Sequence, residues 1–275
     1  MLLSKKLVLM YSCLKKVLMY ACLLLCVSCA QRQPKVYTID VLNRMTPVKD
    51  QGKSQTCWIY AMLAAIETEH IMRGDSVNLS AAYVEKMLEQ EPGVPESRRG
   101  MGVTCINMIQ KYGVVGYDAM RSTETPPPHH AYMLGAEYTP QEFAHSVCAP
   151  NEYVALTSDD SQPYYQWVDV DVPDNWEKNR FFNVPMDTLI QKMVVAVRNG
   201  RGVCWESRAH AMAVVGLAHD SLDNRYFVMK NSWGRDSLYK GLKYVSLRNA
   251  RRKTLAVCMP RDAFTGSERP DNCTK

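Results

Sequence analysis

The sequence predicts an α+β protein with a helical first half, a strand-rich second half and a cleft between them. Three observations predict it. Apolar residues recur at helical spacing between positions 54 and 112, and short strand-like apolar runs dominate 153–247. Between them lies a Pro-rich, polar stretch at 121–150, including Pro126-Pro127-Pro128. The 275 residues are 47% hydrophobic and 22% charged, which suits one large domain or two small ones. A formal charge of +5 is mild. The tightest basic cluster, Arg248, Arg251, Arg252 and Lys253, reads as a solvated face, so a nucleic-acid partner is not expected.

Residues 30–45 read as a short polar tether leading into an N-terminal strand. From Ser54 the pattern turns helical through Trp58, Met62, Ala65, Ile66 and Glu69 to a stop near Gly74, with Ser54 or Thr56 as the expected N-cap. A second helix is expected over 80–90, with Ala81, Val84, Met87 and Leu88 on one face and Pro92-Gly93 as its stop. A third is expected over 104–112 with Gly113 as C-cap. Residues 121–150 read as a loop crossing between the halves, 46–150 and 151–264. Strands are expected at 153–156, 166–172, 202–205, 211–217, 226–230 and 243–247. They surround one helix over 186–198, whose Leu189, Ile190, Met193, Val194 and Val197 keep helical spacing. Residues 265–275 form a C-terminal tail.

The first 29 residues read as an export signal. Lys5, Lys6, Lys15 and Lys16 precede an apolar run from Val17 to Val27 that ends in Ser28-Cys29-Ala30. An apolar core of about ten residues is too short to anchor across a bilayer. The ending favours a bacterial lipoprotein acylated on Cys29, although Cys26 stands where Leu, Val or Ile is usual. Ser28-Cys29-Ala30 also fits ordinary cleavage, which would give a periplasmic or secreted soluble protein. The expected location is therefore the cell envelope, with the membrane engaged through a lipid anchor on Cys29. Of ten cysteines, Cys57, Cys105, Cys148, Cys204, Cys258 and Cys273 remain beyond the signal. If Cys57 stays reduced, an odd five are left, so at least one is free or intermolecular. Cys105 and Cys204 read as small buried residues. The mature remainder has no C-x-x-C pair, and His129-His130 lacks neighbouring ligands, so neither a metal nor another cofactor is expected.

The chemistry-bearing residues are spread along the chain. Cys57 follows Gln51-Gly52-Lys53-Ser54-Gln55-Thr56 and opens the first helix. Far downstream come Ala209-His210-Ala211-Met212 and Lys230-Asn231-Ser232-Trp233-Gly234. A helix N-terminus and a nearby imidazolium both favour a thiolate, so Cys57 is expected to have a lowered pKa. His210 is the candidate acid/base, with Asn231 as the amide orienting its ring and Trp233 as a shield for that bond. Gln51 is the candidate oxyanion donor beside the Cys57 backbone N–H; such a donor is worth on the order of 3 kcal/mol in the barrier.

These residues resemble papain-like cysteine peptidases, and among them most closely the bleomycin hydrolase and aminopeptidase C branch. The matching text is Gln51-Gly52 through Cys57-Trp58-Ile59-Tyr60-Ala61, Gln110-Lys111-Tyr112-Gly113-Val114-Val115, Phe182-Asn183-Val184-Pro185-Met186, His210-Ala211-Met212 and Asn231-Ser232-Trp233-Gly234. Coverage is roughly residues 46–263. The resemblance implies a papain-like fold, with a helical left subdomain and a β-rich right subdomain flanking the active-site cleft. It implies Cys57 as nucleophile, His210 as acid/base, Asn231 as orienter and Gln51 as oxyanion donor, with Trp58, Gly100, Gly102 and Trp233 at the substrate. The implied partner is a peptide or protein substrate, and the chain itself is expected to be a monomer. The sequence departs from the pattern in three ways. Some sixteen residues separate Cys29 from the first match, so an inhibitory prosegment is not expected. The insertions of the hexameric cage are missing, and the stretch between Cys204 and His210 is short. Two alternatives therefore stand: a peptide-binding module without turnover, or an amidase or transpeptidase using the same thiol.

Overall fold

The computed structural model describes Lys15 and residues 35–266. The export signal, Cys29, Cys273 and most of the expected tail lie outside the described residues. The compact body begins at Tyr37, and among the described residues no helix is long and apolar enough to cross a membrane.

Strand β1 (Thr38–Leu42) opens the body, followed by helices α1 (Cys57–Arg73), α2 (Ala81–Met87) and α3 (Gly102–Tyr112). The expected start and stop of α1 hold to within three residues, and Gly74 closes it in the left-handed region at φ 101°. The expected cap does not form. Thr56 takes the N-cap position without capping: its backbone sits at φ −95°, ψ 25° rather than in the extended conformation of a capping residue, and its hydroxyl and that of Ser54 donate to the buried carboxylate of Glu85. The second helix runs as an α-turn to Met87 and a 3-10 turn over Leu88–Gln90. Gly113 ends α3 at φ 84°, where a Cβ would lie 2.3 Å from the Pro140 carbonyl carbon.

The stretch 121–150 is not a plain loop. It contains a hairpin, β2 (Ala131–Met133) with β3 (Ala136–Tyr138), and helix α4 (Pro140–Val147). Thr139 caps α4 through a reciprocal capping box with Glu142, and Pro140 occupies its first turn. That signal stood in the sequence and was outweighed by the preceding prolines.

The second half supplies β4 (Tyr153–Thr157), β5 (Trp167–Asp169), β6 (Arg180–Asn183), α5 (Met186–Arg198), β7 (Val203–Ser207), β8 (Ala211–His219), β9 (Arg225–Lys230) and β10 (Leu242–Ser246). Helix α6 (Leu247–Lys253), β11 (Thr254–Pro260) and α7 (Arg261–Thr265) complete the order. The sequence reading missed β6, α6, β11 and α7. Nine strands form one sheet in the order β10-β9-β8-β7-β11-β4-β6-β5, with β1 added alongside β8. All pairs are antiparallel except β4 with β6.

Alternation along the strands sorts the core. Ala155, Cys204, Ala256 and Cys258 face α1, α3 and α4, whereas Val154, Leu156, Val203, Trp205, Val257 and Met259 face α5 and α6. Both faces are covered, so the central strands read as continuous apolar runs. Helix α1 is buried over most of its circumference, including Glu67 and Glu69. These two acids tie it in place. Glu67 accepts from Thr46, Lys49 and the Leu79 N–H, with Lys230 Nζ at 3.7 Å. Glu69 accepts from Arg73 and the Gly202 N–H. Buried charges persist only when partnered in this way. The consequence is a rigid seat for the first residue of α1, which is Cys57.

Candidate active site

Cys57, His210, Gly100, Met101 and Ala211 line one cavity where the N-terminus of α1 meets the turn between β7 and β8. The turn, residues 208–210, is held by Ser207. Its N–H and hydroxyl donate to the His210 carbonyl, and the His210 N–H donates back to the hydroxyl at 3.1 Å. The short stretch before His210 is therefore a tight hairpin that points the imidazole at the cavity.

Asn231 follows β9, and its Oδ1 lies 2.7 Å from His210 Nε2. The same oxygen accepts the Ser232 N–H at 2.9 Å. Because Oδ1 only accepts, Nε2 carries the proton, which leaves Nδ1 of the neutral ring as its base. Trp233 lies over the imidazole at a centroid distance of 4.8 Å, and Lys243 Nζ sits 4.9 Å from the indole. The indole is 54% exposed, so one face covers the ring while the rest meets solvent.

Burial dominates the charges here. It pushes the Cys57 thiol up, against the lowering pull of the Ala211 N–H and the Arg99 guanidinium. It also pushes His210 down, opposed by the bond to Asn231 and reinforced by Lys243 and Arg99. The lowered thiol pKa expected from the helix N-terminus is thus opposed here: desolvation by burial is the largest influence on Cys57 and pushes its thiol up.

Gln51 joins the site through Ser232, a residue the sequence reading passed over. The Gln51 N–H donates to the Ser232 carbonyl at 2.8 Å, and the Ser232 hydroxyl donates to Gln51 Oε1 at 2.5 Å. That fixes the amide the right way round, with Nε2 as the donor end. One Nε2 proton goes to the Ser54 carbonyl at 2.6 Å, and the amide has a second to give.

The remaining candidates separate. Trp58, expected at the substrate, is 1% exposed; its ring packs beneath Gly100 and its Nε1 donates to the Arg98 carbonyl. It is a core residue because α1 is buried all round. Gly100 lines the cavity, and its missing Cβ would stand 2.8 Å from the Trp58 ring. Gly102 lies behind the cavity, at the start of α3, with its N–H bonded to Glu206. Two other charged groups were missed. Arg99 is held by Asp174 at 2.6 Å and by the Arg208 carbonyl at 2.9 Å, and Glu206 is buried beside them. No motif marks either, since only the tertiary fold brings them to the cysteine. Cys57, Cys105, Cys148, Cys204 and Cys258 are all free and buried.

Comparison with known proteins identifies the family of the chain. The family described as papain family cysteine protease matches residues 36–259. The thiol protease SEN102 of Hemerocallis is 23% identical over 194 residues, covering 70% of this chain and 48% of that protein. Zingipain-2 of Zingiber officinale is 26% identical over 198 residues, covering 70% and 78% respectively. The chain thus spans about half the length of SEN102. Among solved structures, pepw from Lactobacillus rhamnosis superposes with a TM-score of 0.63 at 14% identity, covering 84% of this chain and 83% of that one. The digestive procathepsin L2 proteinase of Tenebrio molitor gives 0.53 at 16%, covering 84% and 69%. At these identities the structures establish a shared fold.

Proposed function

The chain belongs to the papain family of cysteine proteases, and from that premise we propose that it hydrolyses peptide bonds through an acyl-enzyme on Cys57. The observation that carries the reading is the bond between His210 Nε2 and Asn231 Oδ1 at 2.7 Å, which leaves Nδ1 as base in the cavity that holds the thiol. In the first step Cys57 Sγ attacks the peptide carbonyl carbon while its proton passes to His210 Nδ1. Negative charge on the carbonyl oxygen is met by Gln51 Nε2 and the Cys57 N–H. The C–N bond then breaks as His210 returns the proton to the leaving amine. Water, deprotonated by His210, attacks the thioester carbonyl, and the thiol leaves with that proton.

The test is Cys57→Ala. We expect loss of hydrolysis and of labelling by an epoxide thiol inhibitor, with an unchanged far-UV circular dichroism spectrum. Labelling that persists in the variant would remove Cys57 from its role. A second reading, a peptide-binding module without turnover, draws on the raised thiol and lowered imidazole. Turnover separates the two: peptide hydrolysis that is lost in Cys57→Ala supports the peptidase, and peptide binding without hydrolysis supports the binder.

Two finer assignments belong to the same proposal. The matches at 51–61, 110–115 and 182–186 support the bleomycin hydrolase and aminopeptidase C branch. Digestion of paired free and N-terminally blocked peptides checks it, since an aminopeptidase cleaves only the free set. The basic and apolar N-terminal text ending at Cys29 supports an exported lipoprotein of the cell envelope. Metabolic fatty-acid labelling that survives Cys29→Ala would refute that anchor.

A further inference from the structure

Two buried thiols that the peptidase chemistry does not use face each other across the middle of the sheet. Cys204 on β7 and Cys258 on β11 are directly opposed in the antiparallel register of those strands. Side chains opposed in this way stand on the same face of a sheet, and both belong to the core beneath α3. Each is 0% exposed. Gly102, the first residue of α3, lies over the pair: a Cβ added there would stand 3.1 Å from Cys204 Sγ and 3.6 Å from Cys258 Sγ. The two sulfurs therefore converge on the space that the glycine leaves open.

That arrangement meets the demands of a disulfide. Residues opposed in an antiparallel pair have Cα atoms about 4.5–5.5 Å apart, within the span of about 4.4–6.8 Å that a disulfide bridges without moving the backbone. The place of the pair in the chain gives the bond a consequence. A link between Cys204 and Cys258 closes a loop that contains β8, β9, β10 and α6. His210, Asn231, Ser232 and Trp233 all lie inside it. The base, the amide that orients it and the indole that covers it would thus hang from one bolted pair of strands.

We propose that Cys204 and Cys258 are an oxidation site, joined during folding as a cross-strand disulfide that closes the loop carrying His210 and Asn231. The structure described above is the reduced form, with both thiols free. The oxidant is a small-molecule disulfide of the class of oxidised glutathione. One cysteine thiolate attacks a sulfur of that disulfide and expels a thiolate. The other cysteine then attacks the mixed disulfide, forming the Cys204–Cys258 bond and expelling the second thiolate. The two protein thiols lose two protons and two electrons, and the oxidant becomes two thiols. The exchange belongs to folding because the closed structure prevents it. Once β7, β11 and α3 have packed, neither sulfur meets solvent, and burial pushes both thiols well above their ordinary range.

The experiment refolds the reduced full chain from urea in a mixture of reduced and oxidised glutathione. Remaining thiols are then blocked with iodoacetamide in urea, and the chain is digested with trypsin without reduction. Cleavage after Arg201, Arg208, Lys253 and Arg261 isolates the two cysteines on residues 202–208 and 254–261. The expected product is those two peptides joined, lighter by two hydrogens than their sum and lost on reduction. Both cysteines alkylated, or either one linked to a different cysteine, overturns the proposal. The bridged chain should melt about 5–15 °C above the same chain refolded without oxidant, and equal midpoints refute the loop-closing role. Oxidised glutathione added only after the reduced chain has folded should yield the joined peptide at least about tenfold more slowly. Equal rates before and after folding would refute the placement of the step in folding.

Discussion

Replacing Glu206 by glutamine keeps the shape of the side chain and removes its titration, so the variant measures what burial does to the carboxyl. In the folded protein that group titrates at about 7 against an ordinary 4.5. A raised carboxyl pKa means that the folded state holds the proton more tightly than the unfolded chain does. Its stabilising contribution is complete below pH 4.5 and is lost as pH rises through 7. At about 1.36 kcal/mol per pH unit, the displacement amounts to about 3 kcal/mol. Nearly all of that is gone at pH 8, and less than about 1 kcal/mol is gone at pH 5. The amide oxygen of glutamine still accepts the Gly102 N–H, and every other titrating group is common to both proteins. Glu206→Gln should therefore gain about 2 kcal/mol on the natural protein between pH 5 and pH 8. Urea unfolding of both proteins at pH 5, 6.5 and 8 measures the difference. A stability gap that stays constant across that range would show that Glu206 ionises without a desolvation penalty, and the burial argument would be refuted.

Other outcomes follow from the same geometry. Gln51→Ala removes the amide that Ser232 orients and should lower kcat by about 100-fold with little change in thermal midpoint, and unaltered turnover would take Gln51 out of the oxyanion site. Asn231→Ala removes the acceptor of the Nε2 proton, a loss of about 1 kcal/mol and about fivefold in kcat. A smaller effect in steady-state kinetics would mean that Trp233 holds the ring unaided. Gly202→Ala would place a Cβ 1.9 Å from the Ala65 carbonyl oxygen, pushing β7 away from α1. It should cost about 1–3 kcal/mol, visible as a lowered Tm, and an unchanged Tm would contradict the packing described.

Much of the fold was legible where the pattern is local. Helix α5 begins and ends where its spacing predicts, because Leu189, Ile190, Met193 and Val197 make one buried stripe against the sheet. Helix α1 was legible in extent but not in environment. Helical spacing gave its span, yet acids such as Glu67 and Glu69 are buried in it by partners up to 163 positions away, as with Lys230. Strand β6 was missed because its pairing with β4 is parallel and nothing in four residues announces a parallel neighbour. Helix α4 was missed for a different reason. Its capping box was present, but three prolines upstream carried more weight than they merit, since they end before the helix begins.

The sequence by itself determined the chemical inventory and its order: a cysteine at a helix start, a histidine, an asparagine and a glutamine amide, within text that resembles one family. Those are properties of residue type and spacing, and they survive without coordinates. The tertiary structure decided how each group behaves. It showed Ser232 fixing the Gln51 amide, Asn231 fixing the His210 tautomer, and burial pushing the Cys57 thiol up and the His210 imidazole down. It alone brought Glu206 beneath the cavity with one oxygen unbonded. Desolvation and hydrogen-bond satisfaction depend on which atoms lie within a few ångströms, and strands distant in the chain supply most of those atoms here.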